Sequence, residues 1–402
     1  MAEWPTVRFE EIAAPEKSAF SKPYGSAYTR NDYVPSGIPL VRGVNLGAGP
    51  FHDDDFVFIS SEKADTLPGA NLKPGDLVIT HRGTIGQVSM IPRNPRHDRY
   101  VLSTSQVKAR LDHAKAVPEF YYYWLLSPVG QKEILQHVST VGVPGLVQPV
   151  ATVKSFKVPV PSLDEQRSVV AVLGALDDKI AVNERIATTA DDLSRALFGE
   201  VLLKSVDGFS DQPLSAVAEF INGRAFTKGA TGTGRMVVRI AEINSGPGVS
   251  TVYNEIDVPD RHLARPGDLL FAWSGSLTAA RWFRPEAIIN QHIFKCIPRD
   301  GYPIWLVSQL VHRKLDEFRS IAADKATTMG HIQRRHLDEP VPVPGPKTLG
   351  ALDRVISPLW ERALVAEQES LSLATLRGTL LPQLMSGRIR VKDAEKIVED
   401  HV

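Results

Sequence analysis

The sequence has little cysteine, no long apolar run and no signal-peptide pattern. Its single cysteine, Cys296, excludes an internal disulfide and fits a reducing compartment. No run approaches the roughly 18 apolar residues of a membrane-spanning helix, and residues 1–15 have no apolar core of the signal-peptide type. We therefore expect a cytoplasmic protein that does not enter a membrane.

The motifs of several catalysts are missing as well. There is no G-x-x-x-x-G-K-[ST] loop for ATP, no Asp/Asn-Pro-Pro-aromatic tetrapeptide of amino-methyltransferases, and no set of His and Cys residues at zinc spacing. One alternative is that Asp76, Gln106 and Lys108 form a nuclease-like carboxylate–lysine site. We expect a non-catalytic chain that holds no metal and no cofactor.

Neither sign of charge is in excess, because 46 basic residues balance 46 acidic residues. Nucleic-acid-binding domains usually carry a basic surface, so the total alone argues against one. Locally, residues 78–110 contain six Lys and Arg residues against one Asp, and a second basic cluster contains Lys325, Arg334 and Arg335. Such clusters are either solvated faces or contacts to phosphates, and their occurrence in both halves of the chain favours the second interpretation.

What the sequence does have is an internal repeat. PGDLVITHRGTIG at 74–86 is matched by PGDLLFAWSGSLT at 266–278. Behind each copy come a loop rich in Thr and Gly (139–147 and 326–332), a strand closed by proline, and a long helical pattern. Because a duplicated unit fixes the architecture, we divide the chain into a first globule (1–161), a first helix (162–205), a second globule (206–345), and a second helix with the C-terminal tail (346–402).

The first long helix is predicted to begin at a capping box formed by Ser162 and Glu165. No proline follows until Pro213, and apolar residues recur at steps of three and four along roughly 40 residues, which is typical of a coiled coil. The predicted apolar stripe consists of Val169, Leu173, Leu176, Ile180, Ala190, Leu193, Leu197 and Val201.

The second long helix repeats this stripe at a constant offset of 183 residues. Pro358 stands in the place of Ala175, and because an interior proline breaks a helix, we expect a short helix before Ser357 and a long one after it. The simplest packing is an antiparallel pair that holds the globules apart; the alternative is that each helix packs only on its own globule. The second stripe consists of Leu352, Ile356, Leu359, Ala363, Leu373, Leu376, Leu380 and Leu384.

Each globule is predicted to be mixed α/β, with short strands and an amphipathic helix starting within 121–126 or 305–310. Polar residues repeat by position but differ in identity, and Gln106 is matched with Gln291. Such a frame suits two readers of different base sequences, since Arg pairs with guanine and Gln with adenine. The predicted DNA contacts are Arg42, His81, Arg82, Thr84, Gln106, Thr140 and Gln148 in the first globule, and Arg239, Trp273, Ser274, Gln291, Thr328, His331 and Arg334 in the second.

Three segments resemble the specificity subunit of type I restriction-modification systems. They are the duplicated PGDL blocks, VPVPSLDEQRSVVAVLGALDDKIAVNE at 158–184, and LLPQLMSGRIRV at 380–391. The resemblance covers nearly the whole chain and implies an α+β fold, with two pseudo-repeated α/β target-recognition domains separated by two long antiparallel coiled-coil helices. In this family each target-recognition domain reads one half of a split DNA site, and the chain itself is not an enzyme.

The resemblance also implies partners. Two modification (methyltransferase) subunits are expected to dock on the helices, and two restriction (helicase–nuclease) subunits join for cleavage. S-adenosylmethionine, Mg²⁺ and ATP are expected in those subunits. The second helix departs from the first at its start, where Lys347, Leu349 and Gly350 replace three polar residues. The residues predicted to face a modification subunit are Asp164, Glu165, Gln166 and Arg167.

Two further functions are compatible with these residues. The chain could be the recognition part of a split restriction–methylation enzyme, or a coiled-coil scaffold whose globules bind proteins. A test of binding to split-site DNA distinguishes the scaffold from the two DNA-reading functions. Phosphate contacts would make the affinity for DNA fall steeply with salt concentration.

Overall fold

The structure is a computed structural model that describes residues 4–25, 27–47, 51–139, 144–204, 208–299, 301–324 and 331–400. It contains two compact units, Met1–Asp177 with Thr375–Val402, and Asp178–Ala374. Each unit holds the sheets of one predicted globule together with part of each long helix. The predicted mixed fold class, with long paired helices, is confirmed.

The first unit contains thirteen strands among its described residues. They are β1 (Thr6–Arg8), β2 (Phe20–Ser21), β3 (Tyr33–Val34), β4 (Ile38–Val41), β5 (Val57–Ile59), β6 (Asn71–Leu72), β7 (Leu77–Thr80), β8 (Val88–Met90), β9 (Tyr100–Leu102), β10 (Gln106–Ala109), β11 (Val138–Ser139), β12 (Gly145–Leu146) and β13 (Lys157–Pro159). Its helices are α1 (Ser61–Asp65), α2 (Pro118–Leu126), α3 (Pro128–Leu135), α4 (Pro149–Ser155), the start of α5 (Leu163–Lys204), the end of α9 (Pro346–Met385), and α10 (Val391–Glu399).

The second unit contains the remaining described elements. Its strands are β14 (Phe209–Pro213), β15 (Ala218–Asn222), β16 (Arg235–Val238), β17 (Val252–Asn254), β18 (Leu263–Ala264), β19 (Leu269–Ala272), β20 (Thr278–Arg281), β21 (Ala287–Ile289), β22 (Ile293–Pro298) and β23 (Pro340–Pro344). Its helices are α6 (Leu214–Val217), α7 (Ile240–Ser245), α8 (Ile304–Asp324), the rest of α5 and the first part of α9.

Apart from the extra edge strand β3 in the first unit, the two main sheets of each unit match strand for strand. The first unit has the orders β3-β5-β4-β9-β6 and β2-β10-β7-β8, and the second has β17-β16-β21-β18 and β15-β22-β19-β20. In each unit one parallel pair, β4 with β9 or β16 with β21, lies beside antiparallel neighbours. A two-stranded ribbon, β1 with β13 or β14 with β23, accompanies each pair of sheets. The repeat in the sequence is therefore a repeat of topology.

The helices that follow the sheets differ between the units. In α8, buried residues such as Trp305, Leu310 and Phe318 alternate with exposed charged ones, so the predicted amphipathic helix is confirmed there. For α2 that prediction is wrong, because the run from Phe120 to Leu125 is buried on all sides. Aromatic side chains cover the whole circumference of this short helix, so it has no polar face.

The PGD turn has the same hydrogen bond in both units. The Asp76 carboxylate accepts from the backbone N–H of Lys73 (2.8 Å), and the Asp268 carboxylate accepts from that of Arg265 (2.6 Å). The aspartate thus closes the turn that starts β7 or β19, which explains why the tripeptide occurs twice.

A buried lysine lies beside each PGD turn. Lys108 Nζ donates to the backbone carbonyls of Gly69 (2.8 Å) and Asn71 (3.0 Å), and Lys295 Nζ donates to that of Leu263 (2.8 Å). Strand register places the two lysines at equivalent points of their sheets. Because Lys108 is buried and its ammonium is hydrogen-bonded to backbone carbonyls at the edge of the neighbouring sheet, the structure does not support the nuclease-like alternative.

Within the second unit, α5 and α9 pack against each other. Asn183 Nδ2 donates to Glu369 Oε2 (2.9 Å). A second, buried contact is made by small side chains. Those on α5 lie after Asn183 in the sequence and those on α9 lie before Glu369, so the two helices run antiparallel. The alternative that each helix packs only on its own globule is wrong. The small side chains are Ala187, Ala190, Ala363 and Ala366.

The same pairing occurs at the other end of these helices, within the first unit. Asp177 of α5 forms an ion pair with Arg377 of α9 and accepts a hydrogen bond from the Tyr123 hydroxyl (2.7 Å). The apolar residues Val169 and Leu384 are both buried along this stretch. The predicted stripes therefore face each other in this unit as well.

Two details of the helix prediction are wrong. Leu193 is 45% exposed, and Ser194 occupies the buried place instead, its hydroxyl donating to the carbonyl of Ala190 (2.7 Å). The helix α9 is continuous through Pro358. Pro358 and Arg354 are exposed, so water can hydrogen-bond the Arg354 carbonyl that proline leaves without an N–H partner. Among the helices of the described ranges, none is both long and apolar enough to cross a bilayer.

Candidate nucleic-acid interface

The turn after β7 presents two of the predicted contacts at the surface. Arg82 and Thr84 are exposed, and Gly83 between them has a φ of 91°, a conformation that favours glycine. The backbone is held from the side by β12, since Leu146 N–H donates to the carbonyl of His81 (2.9 Å). Two exposed polar side chains thus stand on a fixed turn at the end of a strand.

His81 supports this turn from inside. It is 7% exposed, and its Nε2 lies 3.0 Å from the carbonyl oxygen of Thr104. Burial lowers the pKa of His81, so the imidazole is neutral at neutral pH and Nε2 is the donor. His81 therefore holds the loop 103–105 and does not share the exposed surface of Arg82.

Gln106 is also internal. It is 1% exposed, and its amide oxygen accepts a hydrogen bond from the Ser103 hydroxyl. Gln106 lies opposite Thr80, and the equivalent place opposite Ala272 is taken by Ile293. The match of Gln106 with Gln291 is therefore wrong by two residues, because it was made on residue type and the strands align by backbone hydrogen bonds.

The other predicted contacts of the first unit are spread around this turn. Arg42 Nη2 donates to the carbonyl of Asp55 (3.0 Å). Its neighbour Gly43 lies next to Gln106, since a Cβ at Gly43 would be 3.8 Å from the Gln106 amide nitrogen. Gln148 is exposed at the start of α4, whereas Thr140 lies outside the described residues. The structure thus brings Arg42, Arg82 and Gln106 to one end of the sheet.

In the second unit, four predicted contacts meet around one histidine that the sequence analysis did not select. His292 Nδ1 lies 3.1 Å from the Ser274 hydroxyl, and its Nε2 lies 3.2 Å from Gln291 Nε2. The Trp273 ring centroid is 5.6 Å from that of His292 and 6.3 Å from that of His331. We call these five residues the aromatic cluster. The signal for His292 was its place beside Gln291, directly before a strand.

Backbone contacts hold the aromatic cluster together. Ser274 and His331 form a β-bridge, and the N–H of Ile332 donates to the carbonyl of Trp273 (3.1 Å). The indole N–H of Trp273 donates to Asn222 Oδ1 (2.8 Å) at the end of β15. The turn after β19 is thus fixed by the end of the second Thr/Gly loop, as the turn after β7 is fixed by β12 in the first. Thr328 lies outside the described residues.

The two arginines predicted for the second unit differ. Arg239 donates from Nε and Nη2 to the carboxylate of Glu242 (3.1 and 2.6 Å). Burial opposes ionisation of Glu242, but the hydrogen bonds from Arg239 prevail and lower its pKa. Arg239 is thus paired with a buried carboxylate, and its contact with DNA stays a prediction. Arg334 is exposed, with only Nη2 donating to the carbonyl of Phe220 (3.0 Å).

The predicted partner surface at the start of α5 is exposed except at one residue. Asp164, Glu165 and Arg167 are exposed, and the Ser162–Glu165 capping box is present, with Ser162 N–H donating to Glu165 Oε2 (3.0 Å). Gln166 does not belong to this surface. Its side chain is fully buried, with Oε1 accepting from the N–H of Val117 (2.8 Å). Its Nε2 donates to the carbonyls of Pro161 (2.9 Å) and Lys115 (3.4 Å), so the side chain ties the start of α5 to the segment before α2.

Comparison with known proteins agrees with this geometry. Residues 1–190 match a family described as type I restriction modification DNA specificity domain. Residues 1–190 therefore carry a DNA specificity domain of the type I restriction-modification kind. The type I restriction enzyme MjaVIII specificity subunit of Methanocaldococcus jannaschii is 21% identical over 185 residues, which is 46% of this chain and 41% of that relative's length.

A solved structure shares its fold with nearly the whole chain. The crystal structure of a type I restriction-modification S subunit from M. genitalium is similar to it, with a TM-score of 0.58 and 14% sequence identity. That similarity covers 95% of this chain and 96% of the other. The fold of that S subunit is thus present in both halves of the chain, including the residues beyond 190.

Proposed function

We propose that the chain is the DNA sequence-specificity subunit of a type I restriction-modification complex. Each unit reads one half of a split double-stranded DNA site, with Arg and Lys side chains on phosphates and polar side chains on base edges. The chain performs no chemistry, which belongs to its partner subunits.

One observation carries this proposal. Two sheets of the same strand order end in turns that are fixed in the same way, and the side chains on the two turns differ. Arg82 and Thr84 are exposed on the first turn, whereas on the second Trp273 is half-buried and Ser274 is buried beside His292. A conserved frame with exchanged polar groups is what recognition of two unlike base sequences requires.

The exposed start of α5 supports the partner part of the proposal. Two modification subunits bind surfaces on the long helices, one of them around Asp164, Glu165 and Arg167, and two restriction subunits complete the complex for cleavage. S-adenosylmethionine, Mg²⁺ and ATP are bound by these partners and not by this chain. The charged, ordered surface fits a partner protein, since residues fixed by a capping box present a rigid contact.

The test is selection of DNA from a random pool by the full chain, followed by binding of the selected site at several salt concentrations. We expect a split site and a steep fall of affinity with salt. The change Arg82→Ala should cost about 1–3 kcal/mol of binding free energy and relax one base position in one half-site.

The control is Arg96→Ala, which removes an exposed arginine in the loop 91–99, between the end of β8 and the start of β9 and so away from the turn after β7. It should leave the base preference unchanged. Absence of salt-dependent DNA binding by the wild-type chain would favour the scaffold alternative. Equal losses in both variants, with base preference intact, would mean that Arg82 contacts only phosphate.

A further inference from the structure

A groove of about 390 Å³ in the second unit is lined largely by basic side chains. Arg224 follows the end of β15, Arg261 lies in the turn before β18, and Arg334 lies in the turn before β23. His262 completes the lining. Three separate segments thus bring their cations to one place, and only Arg334 was selected from the sequence. We call this set the arginine groove.

The positive charge of the arginine groove is only partly neutralised. Among the described residues, no carboxylate lies within ion-pair distance of Arg224 or Arg334, and Arg261 pairs with Glu219 at 2.8 Å. Both side chains of that pair are about half exposed, so solvent screens the attraction and Glu219 is displaced at little cost. Guanidinium groups in such a setting bind phosphate oxygens through paired N–H donors.

A buried polar atom points to the same ligand. His262 is 5% exposed, and its Nδ1 has no hydrogen-bond partner within the described part of the chain. Burial lowers the pKa of His262, and the charges of Arg224 and Arg261 lower it further. The imidazole is therefore neutral at neutral pH, so a ring nitrogen can donate a hydrogen bond to an anionic oxygen without adding charge.

The backbone beside Arg224 is fixed. A Cβ at Gly223 would lie 2.2 Å from the carbonyl oxygens of both Ile289 and Asn290, so glycine is required for this close approach. Arg224 itself forms a parallel bridge with Asn290. The first cation of the groove is therefore placed by the sheet and not by a free loop.

The arginine groove adjoins the aromatic cluster. Asn222, which accepts the Trp273 indole hydrogen bond (2.8 Å), also lines the groove. Asn290 bridges Arg224 and directly precedes Gln291. A ligand in the groove would therefore lie beside the aromatic cluster, whose side chains are expected to contact base edges.

We propose that the arginine groove binds one phosphate of the DNA backbone and so sets the register at which the aromatic cluster meets the bases. The inference rests on the proposed DNA-recognition function. Strand register places Lys22 at the position of Asn222, so Pro23 and Tyr24 take the places of Gly223 and Arg224, and the described part of the first unit has no arginine at this point. The phosphate clamp thus belongs to the second half-site alone.

The first experiment measures the salt dependence of DNA binding by the full chain on its selected site. Each phosphate neutralised contributes about −0.9 to the slope of log affinity against log salt concentration. Arg224→Gln, Arg334→Gln and the double variant should each reduce the slope by about 0.9, because both arginines hold the same phosphate. Base preferences should be unchanged. The control is Arg313→Gln, an exposed arginine on α8 outside the groove, which should leave the slope as it is.

A second experiment removes charge from the DNA. Methylphosphonate is placed singly along the second half-site, and one position should lose at least tenfold in affinity for the wild-type chain. The same position should have no further effect in Arg224→Gln. A double variant that reduced the slope by twice the single amount would contradict binding of one phosphate by both arginines. The proposal would also be wrong if Arg224→Gln abolished the affinity loss at none of the methylphosphonate positions.

The outcomes separate this proposal from the one it rests on. If the wild-type chain does not bind DNA, the proposed DNA-recognition function is wrong. If it selects a split site, but the groove variants have the same salt slope as Arg313→Gln, only the proposed phosphate site is wrong. Titration with inorganic phosphate adds a third arm. Tight binding that is lost in Arg224→Gln, with an unchanged DNA slope, would make the groove a site for free phosphate and would overturn the proposal.

Discussion

At the scale of single residues, two buried lysines explain the PGD repeat better than any exposed side chain does. Lys108 and Lys295 hydrogen-bond carbonyls of the neighbouring sheet next to Asp76 and Asp268. Lysine is rarely buried, so its type gave no reason to place it in a core. In both units, a lysine ammonium at the same point of the sheet donates hydrogen bonds to backbone carbonyls.

The pH dependence of stability should reveal Lys108. Burial lowers its pKa to about 8 from 10.5. Between these values the unfolded chain holds a proton that the folded chain has released, so the free energy of unfolding rises with pH. The free energy of unfolding of the wild type should therefore rise by about 2 kcal/mol relative to that of Lys108→Met between about pH 8 and 10.

Urea unfolding at several pH values, followed in the first unit, measures this difference. Lys132→Met, the same change at an exposed position of α3, is the control. A gap between wild type and Lys108→Met that stays constant with pH would show that the folded state does not depress the Lys108 pKa.

At the scale of elements, the long helices show how packing overrides local preference. Pro358 is exposed, but Ile356 two residues before it is buried in the core of the second unit, and Trp360 two residues after it packs against the same core. Burial of residues on both sides of the proline holds α9 together, and the lost hydrogen bond lies on the solvent side. The expected break at Ser357 was an inference from propensity alone, and propensity is the weaker effect here.

Pro358→Ala should stabilise the second unit. Alanine restores the missing N–H donor and removes the steric conflict of the ring, so the free energy of unfolding should rise by about 1–3 kcal/mol. Thermal unfolding of the full chain would record it as a higher midpoint for the second unit. A lower midpoint would indicate that Pro358 acts as a helix start, as the sequence first suggested.

The start of α5 should govern partner binding. Reversing the charges of Asp164 and Arg167 should greatly reduce recovery of methyltransferase on coexpression, since the partner would meet charges of the wrong sign. The matched control is Asp192 and Arg195, which form the same i,i+3 ion pair on the same helix. Equal recovery with both reversed pairs would place the docking surface elsewhere, and equal loss would indicate a general effect on the helix.

At the scale of the whole molecule, the sequence was informative wherever a pattern repeats. The two-module order, the long helices and the capping box at Ser162 follow from spacing and turn chemistry, which act locally. The side-chain environments of His81, Gln106 and Gln166 did not follow, because burial depends on strands that are distant in the sequence. The arginine groove was missed for the same reason, since its three cations come from three separate segments.

Exchange of residues 206–345 for the corresponding module of another such subunit should change one half-site and leave the other half-site and the gap between them unchanged. The reason is that each unit has its own sheets and core, while the long helices are untouched. Methylation mapping of the assembled complex measures all three quantities at once. A change in the other half-site would contradict independent reading by the two modules.

The paired strands at the base of each module have a consequence for inheritance. Thr6 lies opposite Pro159, and Phe209 lies opposite Pro344, so each module begins and ends at neighbouring points of the backbone. A segment with adjoining ends can be replaced in a gene by one of different length, because the flanking chain has no gap to span. Genetic crossover at these two proline strands would give a lineage a new recognition sequence in one step. The half-site read by the other module and the partner proteins would need no further change.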